Sequence, residues 1–342
     1  MYYQCPACEK TWYYPIEECL FCKGEIKLIY PQEFTIQAIT QVEVPSREHL
    51  KFPYSVLLLK DEHGQTHTRK TFREYKVGDK LESDTPRDQQ QAVFASKIRY
   101  SLFESWQAVW GQLVAGLDNK LKNVVIKINL KKPQMASKGE VTSPQLVAFL
   151  LDWLAAKSVK PDQIKVVDRL PAGSVEDVLL KKSGLGAVLD QYKVEFVNLA
   201  NQPHETLTLN GTIVDLPELI GNSDFLINTT PFVYDLDKQN ALVSKNLAEI
   251  LPVRSLVQLE KVINHKVLPP VLNLLEATWG VGYKQEKSLG RQPIKMSYAS
   301  LSSAALDLAL CKLYQLDLDS DLSELSYELC GEEFEVIARK LS

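Results

Sequence analysis

Four cysteines within the first 22 residues constrain the chain more than any other feature: Cys5-Pro-Ala-Cys8, ten intervening residues, then Cys19-Leu-Phe-Cys22. Each pair presents two thiolates from one tight knuckle, and two knuckles complete a closed tetrahedral site with no open position for chemistry. A segment this short cannot bury a core of its own. Its folding energy must come from metal, with Tyr3, Trp12, Tyr13 and Tyr14 covering the site. Zinc, in a structural role, is the ion expected on Cys5, Cys8, Cys19 and Cys22. Rubredoxin-type iron is the lesser alternative, because an all-thiolate tetrahedron accepts either metal. The remaining cysteines, Cys311 and Cys330, lie far along the chain. That clustering argues for metal over disulfides and for a cytoplasmic protein.

At 342 residues the chain exceeds the size at which a single core stops growing, so two or more domains are expected. Lys and Arg number 39 against 43 Asp and Glu, a net charge of -4. Such a balance provides no electrostatic footprint for nucleic acid or for an anionic membrane. No segment approaches roughly 18 consecutive apolar residues, and the N-terminus has neither the charged start nor the apolar run of a signal peptide. No membrane partner is expected.

Between Glu33 and Leu81 the signals are short and β-like. Phe34 to Val44 alternates, Tyr54 to Leu59 is apolar, Gln65 to Phe72 is Thr-rich, and Asp61-Glu-His-Gly64 and Val77-Gly-Asp-Lys80 read as turns. A small OB-like barrel of about five strands fits this pattern. The four cysteines, Pro15 between the knuckles, Pro53-Tyr54 and the Val77-Gly78-Asp79 turn together resemble the domain-of-unknown-function 35 family, in which a zinc ribbon precedes an OB-fold. The resemblance implies an acyl-CoA-associated module that partners thiolase-like enzymes.

Residues 83–92 lack an apolar period and read as a linker. The expected division is therefore a ribbon over 1–28, a barrel over 29–92 and an α/β domain over 93–342. Leu102, Trp106, Val109, Trp110, Leu113, Val114 and Leu117 fall at helical spacings. Val124 to Leu130 is interrupted only by Lys127 and Asn129, too apolar for a strand with one wet face; it belongs in a mostly parallel sheet covered by helices on both faces. The alternation continues with a helix opening at Ser143-Pro144, a strand at Ile164 to Asp168, a helix at Val175 to Leu189 and a strand at Val194 to Leu199. Then come a hairpin turning at Asn210-Gly211, a strand at Asp224 to Asn228 and a helix at Ala241 to Leu251. Leu272 to Leu275 reads as a strand, Trp279-Gly-Val-Gly282 as a glycine turn, Ser303 to Leu316 as a helix, and the acidic tail from Asp317 to Glu335 as a solvated face with a short last helix.

Residues 120–318 resemble the domain-of-unknown-function 362 family through landmarks in order: Val125-Ile-Lys127-Ile-Asn129, Thr142-Ser-Pro144, Ser244-Lys245-Asn246 with Leu251-Pro252, Leu274-Leu-Glu276 with Gly280 and Gly282, then Ala299-Ser300 and Leu306-Asp307. Two departures bear on activity. The Lys- and His-bearing segment the family places after Asn228 is Thr229-Thr-Pro-Phe-Val-Tyr-Asp235 here, and the Asp-Pro before its last helix is Ser302-Ser303. Either the activity is altered or the pocket only binds.

Ligands of such sheets bind beyond the carboxyl ends of the strands, which makes Lys127, Asn129, Lys131, Asn228, Lys245 and Asn246 the candidate anion-binding residues. A lysine inside an apolar strand needs an anion beside it, from Asp168, Glu276 or a ligand. Lys127, Asp168, Lys245 and Glu276 are also the catalytic candidates. Three functions compete. One is an accessory protein whose ribbon and barrel dock a thiolase-like enzyme or an acyl thioester while the α/β domain binds an anionic small molecule. The second is an enzyme of unknown, redox-linked or other, reaction. The third is a nucleic-acid-binding ribbon and barrel, which the acidic balance disfavours.

Overall fold

The computed structural model describes residues 2–12, 16, 18–29, 31, 33–44, 53–82, 91–98, 101–114, 121–252, 256–319, 326–332 and 337–341. Tyr13, Tyr14, Pro15, Leu117 and most of the expected linker lie outside the described residues. The chain divides into two units, residues 1–87 with 330–338, and residues 88–329 with 339–342.

In the first unit, β1 (Tyr2–Gln4), β2 (Thr11–Trp12) and β3 (Lys27–Ile29) form a three-stranded sheet in the order β2-β1-β3. The segments β4 (Glu33–Val42), β5 (Tyr54–Asp61), β6 (Thr66–Thr71) and β7 (Lys80–Glu82) form an antiparallel sheet in the order β6-β5-β4-β7. Its apolar centre is small, with Ile36, Leu57 and Leu59 buried and Phe34, Ile39, Tyr75 and Leu81 packed against them. Four strands are paired among the described residues, and pairings that would close them into a barrel are not among these.

The second unit is built from β8 (Ala92–Lys97), α1 (Leu102–Val114), β9 (Val124–Lys127), α2 (Pro144–Ala156), β10 (Ile164–Asp168), α3 (Glu176–Ser183), α4 (Leu185–Tyr192) and β11 (Glu195–Asn198). Then follow β12 (His204–Leu209), β13 (Thr212–Pro217), α5 (Glu218–Gly221), β14 (Phe225–Asp235), α6 (Leu242–Ala248), α7 (Leu256–Asn264), β15 (Val271–Lys284), β16 (Lys287–Ser300), α8 (Ser303–Tyr314) and, up to Leu329, β17 (Glu328–Cys330). Eight strands lie in one mixed sheet, in the order β11-β10-β9-β14-β15-β16-β8-β17. The run from β11 to β15 is parallel, as the apolar segments required; β15 with β16 and β16 with β8 pair antiparallel. All four residues of β9 are buried, which only a sheet covered on both faces permits.

Local chemistry explains some of the element ends. The Ser143 hydroxyl accepts from the Leu146 amide at the start of α2, with Pro144 in the first turn. Asn210 and Gly211 both take positive φ, the geometry of a two-residue hairpin turn between β12 and β13.

Several expectations need correction. The single helix read from Val175 to Leu189 is two, α3 and α4, because Gly184 adopts a left-handed φ of 83° that ends the first. Trp279-Gly-Val-Gly282 is no turn but the middle of β15, which continues to Lys284 and forms a long hairpin with β16. The glycines are there for closeness: a Cβ at Gly282 would lie 2.7 Å from the Tyr234 hydroxyl, and one at Gly280 would lie 3.0 Å from Ile294 and 3.1 Å from Phe232. In the acidic tail the described segment Glu328–Cys330 is a strand. The helix over 102–117 is confirmed as α1 as far as the described residues extend, and those over 241–251 and 303–316 in shorter form as α6 and α8.

Candidate functional site

The order of strands places a switch point in the sheet. From β9 the chain moves outward through β10 to β11, then returns on the other side of β9 with β14 and β15. The carboxyl ends of β9 and β14 therefore diverge into opposite crossovers, and a crevice opens between them.

Lys127 stands at the end of β9, with no exposed surface. In register across the sheet, Lys127 faces Asn228 of β14, Asn228 faces Asn273 of β15, and Asn273 faces Ser300 of β16; all four are fully buried. This polar row is hydrogen-bonded in one direction. Lys127 Nζ donates to Asn246 Oδ1 at 3.0 Å, Asn246 Nδ2 to Asn228 Oδ1 at 2.7 Å, Asn228 Nδ2 to Asn273 Oδ1 at 2.9 Å, and Asn273 Nδ2 to the Ser300 carbonyl at 3.2 Å. A second bond from Asn228 Nδ2 reaches the Val243 carbonyl, so the row also fastens α6.

The anion beside Lys127 is the protein's own. Its Nζ lies 2.7 Å from Asp168 Oδ1 and donates at 2.7 Å to the Ile128 carbonyl. Together with Asn246 these acceptors use all three ammonium protons. Lys131 adds a second cation, 3.0 Å from Asp168 Oδ1 and 2.7 Å from Glu249 Oε2. The amides of Leu130 and Arg169 also donate to Asp168. Burial pulls the Lys127 ammonium below its ordinary value. Burial acts against the ionised Asp168 as well, but the charges of Lys127 and Lys131 hold its carboxyl below the usual range.

Above this pair lies a crevice of about 340 Å³, with Asn129, Lys131, Thr230, Lys245, Asn246 and Glu249 among its lining residues. Of the expected ligand-binding residues, Asn129, Lys131, Lys245 and Asn246 thus reach the crevice, whereas Lys127, Asp168 and Asn228 support its floor from behind. The segment Thr229–Asp235 forms the crevice side of β14, so the wall carries no lysine or histidine along that strand. At one rim Tyr283 donates to Glu140 Oε2 at 2.6 Å and accepts from Lys132 Nζ at 2.6 Å, and Lys132 also bonds Glu140.

Glu276 does not join this group. It lines a separate cavity of about 20 Å³, room for roughly one water, with Thr278, Trp279 and Gly139. There β15 bulges: Pro231 faces Glu276, but the next residue, Phe232, faces Gly280. Burial pushes the Glu276 carboxyl up to about 7 against hydrogen bonds from Thr278 and Ser143.

Sequence reasoning missed Asn273, Ser300, Glu249 and Arg169. Asn273 and Ser300 carry the signal that marked Lys127, a polar residue inside an apolar run. Arg169 donates to the carbonyls of Glu249 and Ile250 at the end of α6, and nothing in its sequence neighbourhood announces this.

In the first unit, the sulfurs of Cys5, Cys8, Cys19 and Cys22 all lie within 4.8 Å of one another, so this cluster could hold a metal ion. The Cys5–Cys22 and Cys8–Cys19 separations are 3.4 and 3.5 Å. A tetrahedral zinc ion with Zn–S bonds of about 2.3 Å sets its sulfurs about 3.8 Å apart, so small shifts suffice. Burial works against a thiolate at Cys19, but amides of Cys22 and Phe21 pointing at its sulfur bring it down to about 6. At Gly24 a Cβ would lie 3.3 Å from the Cys22 sulfur and 3.4 Å from that of Cys5, so the bare glycine leaves the cluster its room.

Fold and site define the larger unit as an α/β domain with a ligand-sized crevice at its switch point. The chain belongs to the family described as "Domain of unknown function (DUF362)", which matches residues 124–312. No curated protein matches it. Among solved structures it is similar to the lactate racemase apoprotein from Thermoanaerobacterium thermosaccharolyticum, at 15% identity and a TM-score of 0.32, covering 66% of this chain and 58% of that one. So distant a likeness carries no argument about activity. No helix among the described residues is long and apolar enough to cross a membrane.

Proposed function

We propose that the large unit binds a small organic monoanion in the crevice at the ends of β9 and β14. Lys245 carries the reading. In the crevice Lys131 is paired with Glu249 at 2.7 Å and Lys238 with Asp235 at 3.6 Å, and behind it Lys127 is paired with Asp168. Lys245 is exposed, lines the same crevice and has no ion-pair partner among the described residues. One positive charge is left over, which suits a carboxylate or phosphodiester better than a polyphosphate. The missing lysines and histidine along Thr229–Asp235 favour binding over turnover.

In this proposal the first unit is an accessory module. Its cysteines hold structural zinc, and its four-stranded sheet, part of an OB-like fold, docks a thiolase-like enzyme or an acyl thioester. Thermal melts of the full chain with short carboxylates, phosphate and CoA thioesters test the crevice. A monoanion should raise the melting temperature, and Lys245→Met should abolish that rise while leaving the unliganded melt unchanged. A rise that survives Lys245→Met, or a panel without effect, refutes the reading.

A further inference from the structure

The crevice wall that carries Lys245 and Asn246 is α6, and its two ends are held differently. At its carboxyl end the Arg169 guanidinium meets the last carbonyls, at 3.1 and 3.0 Å. At its amino end the Asp307 carboxylate of α8 receives the amides of Val243 and Ser244, at 2.7 and 2.9 Å. Both charges suit the helix dipole. Asp307, however, has no exposed surface and no cation beside it.

Donors at the start of α6 offset part of that deficit, and among the described residues no cation adds to them. Helix α8 packs against α6, β8 and β16. Turned inward from these elements are Cys311, Tyr298 and Tyr314, the two tyrosine hydroxyls 2.6 Å apart. Lys245, Lys295 and Lys312 are exposed, Lys97 is half-buried, and none of these lysines forms an ion pair with Asp307. Asp168 is equally buried but stands against two ammonium groups.

We propose that Asp307 is a positioning residue whose charge state sets how readily α6, with Lys245 and Asn246, leaves the crevice. Ionised, the carboxylate has given up its water for donors at the start of α6, the amides of Leu242, Val243 and Ser244 and the Ser244 hydroxyl, and an outward movement of α6 would return water to it. Protonated, it sheds the charge and has less to gain from that movement. The direction agrees with its titration: burial pushes Asp307 up to about 6 although the amides of Val243 and Ser244 oppose this. A closed form that holds its proton more tightly than the opened form opens more easily as pH rises. The effect on ligand exchange rests on the crevice reading; the movement of α6 does not.

Amide hydrogen exchange of the full chain, without ligand and corrected for intrinsic rates, tests the proposal. Protection of peptides covering residues 242–249 should fall about tenfold between pH 5 and pH 7, the size expected for one proton bound more tightly in the closed form. Peptides from β9 and β10 should not follow. Asp307→Asn should remove the slope. Protection of α6 that is flat or rises over this range, or a slope that persists in Asp307→Asn, overturns the proposal. Should the variant fail to fold, the wild-type profile of α6 against β9 decides alone. Because no ligand enters, failure here is separate from failure of the crevice reading.

Discussion

The two units are fastened by different means. Among the described residues of the first, the apolar clusters are small: one is Tyr3 and Trp12 around Cys5 and Cys19, and another is Ile36, Leu57 and Leu59. The second has a large apolar interior; one cluster alone joins Val125, Val167, Val197 and Leu226 of the parallel strands to Leu247, Ile250 and Leu251 beside α6. Where apolar area is scarce, metal–sulfur bonds supply the stability in the proposed reading of the cysteine cluster. Where it is plentiful, a chain can keep buried charges whose removal from water is costly and use them to hold a site.

Stripping the metal tests this contrast most severely. Structural zinc in such sites is worth roughly 10 to 16 kcal/mol, so a chelator or Cys19→Ser should unfold the first unit. Limited proteolysis should then cut residues 2–29 and spare β9 to β11. If the first unit survives with its metal removed, the contrast is wrong.

Lys127→Met probes the second unit. It orphans Asn246 Oδ1 and the Ile128 carbonyl and takes one of two cations from Asp168. A loss of about 3 to 5 kcal/mol is expected in urea titrations, the cost of breaking a buried pair by removing one partner. A loss under 1 kcal/mol would mean that the pair is no support.

Stability against pH separates the two buried carboxylates. Asp168 titrates below its ordinary value of 3.8, so what it contributes is present above that pH and is lost as pH falls further. Asp307, raised from 3.8 to about 6, acts in the opposite sense: its contribution is full below about 4 and is lost as pH rises through 6. The loss is on the order of 3 kcal/mol at 1.36 kcal/mol per unit. Asp307→Asn should reduce the fall of chemical denaturation midpoints between pH 4 and 6, leaving the part that Glu276 contributes, its carboxyl being raised to about 7, and the acid limb in place.

The smallest effect is expected at Gly282→Ala. Its Cβ would come within 2.7 Å of the Tyr234 hydroxyl and 2.8 Å of Cζ, forcing a buried ring to move. Overpacking of this kind costs about 1 to 3 kcal/mol. An unchanged melting temperature would show that the ring has room.

Much of the second unit was legible in its sequence, for physical reasons. A strand buried on both faces announces itself as a mostly apolar run, as Val124–Lys127 and Ile164–Asp168 do, with Lys127 and Asp168 at their ends. Ser143-Pro144 and Asn210-Gly211 carry their turn and cap chemistry locally. In contrast, β16 begins with the exposed Lys287, Ser288 and Leu289 and the chain shows no strand period there. Gly280 and Gly282 look like turn residues until Phe232 and Tyr234 are seen against them. Lys127 declared its need for an anion, and among the three sources considered the fold supplies Asp168. The partners that reach that pair, Asn246 of α6 and Glu249 just after it, come from beyond three further strands of the sheet, Asn246 standing 119 residues from Lys127, which no local pattern encodes.

The polar row across β9, β14, β15 and β16 also bears on how the sheet assembles. Each strand amide in it donates to the next strand's side chain or backbone, so a sheet lacking β15 would leave Asn228 only its bond to the Val243 carbonyl, and one lacking β16 would take the Ser300 carbonyl from Asn273. A slip of one residue in any of these pairings would turn an amide to the opposite face and break the row in two places. Partly built or misregistered sheets are therefore penalised at every stage, and the row is complete only when strands drawn from residues 124 to 300 have all docked. The row that steadies the crevice floor, closed at one end by the Ser300 carbonyl and bridged by Asn246, is satisfied in full by one strand order alone.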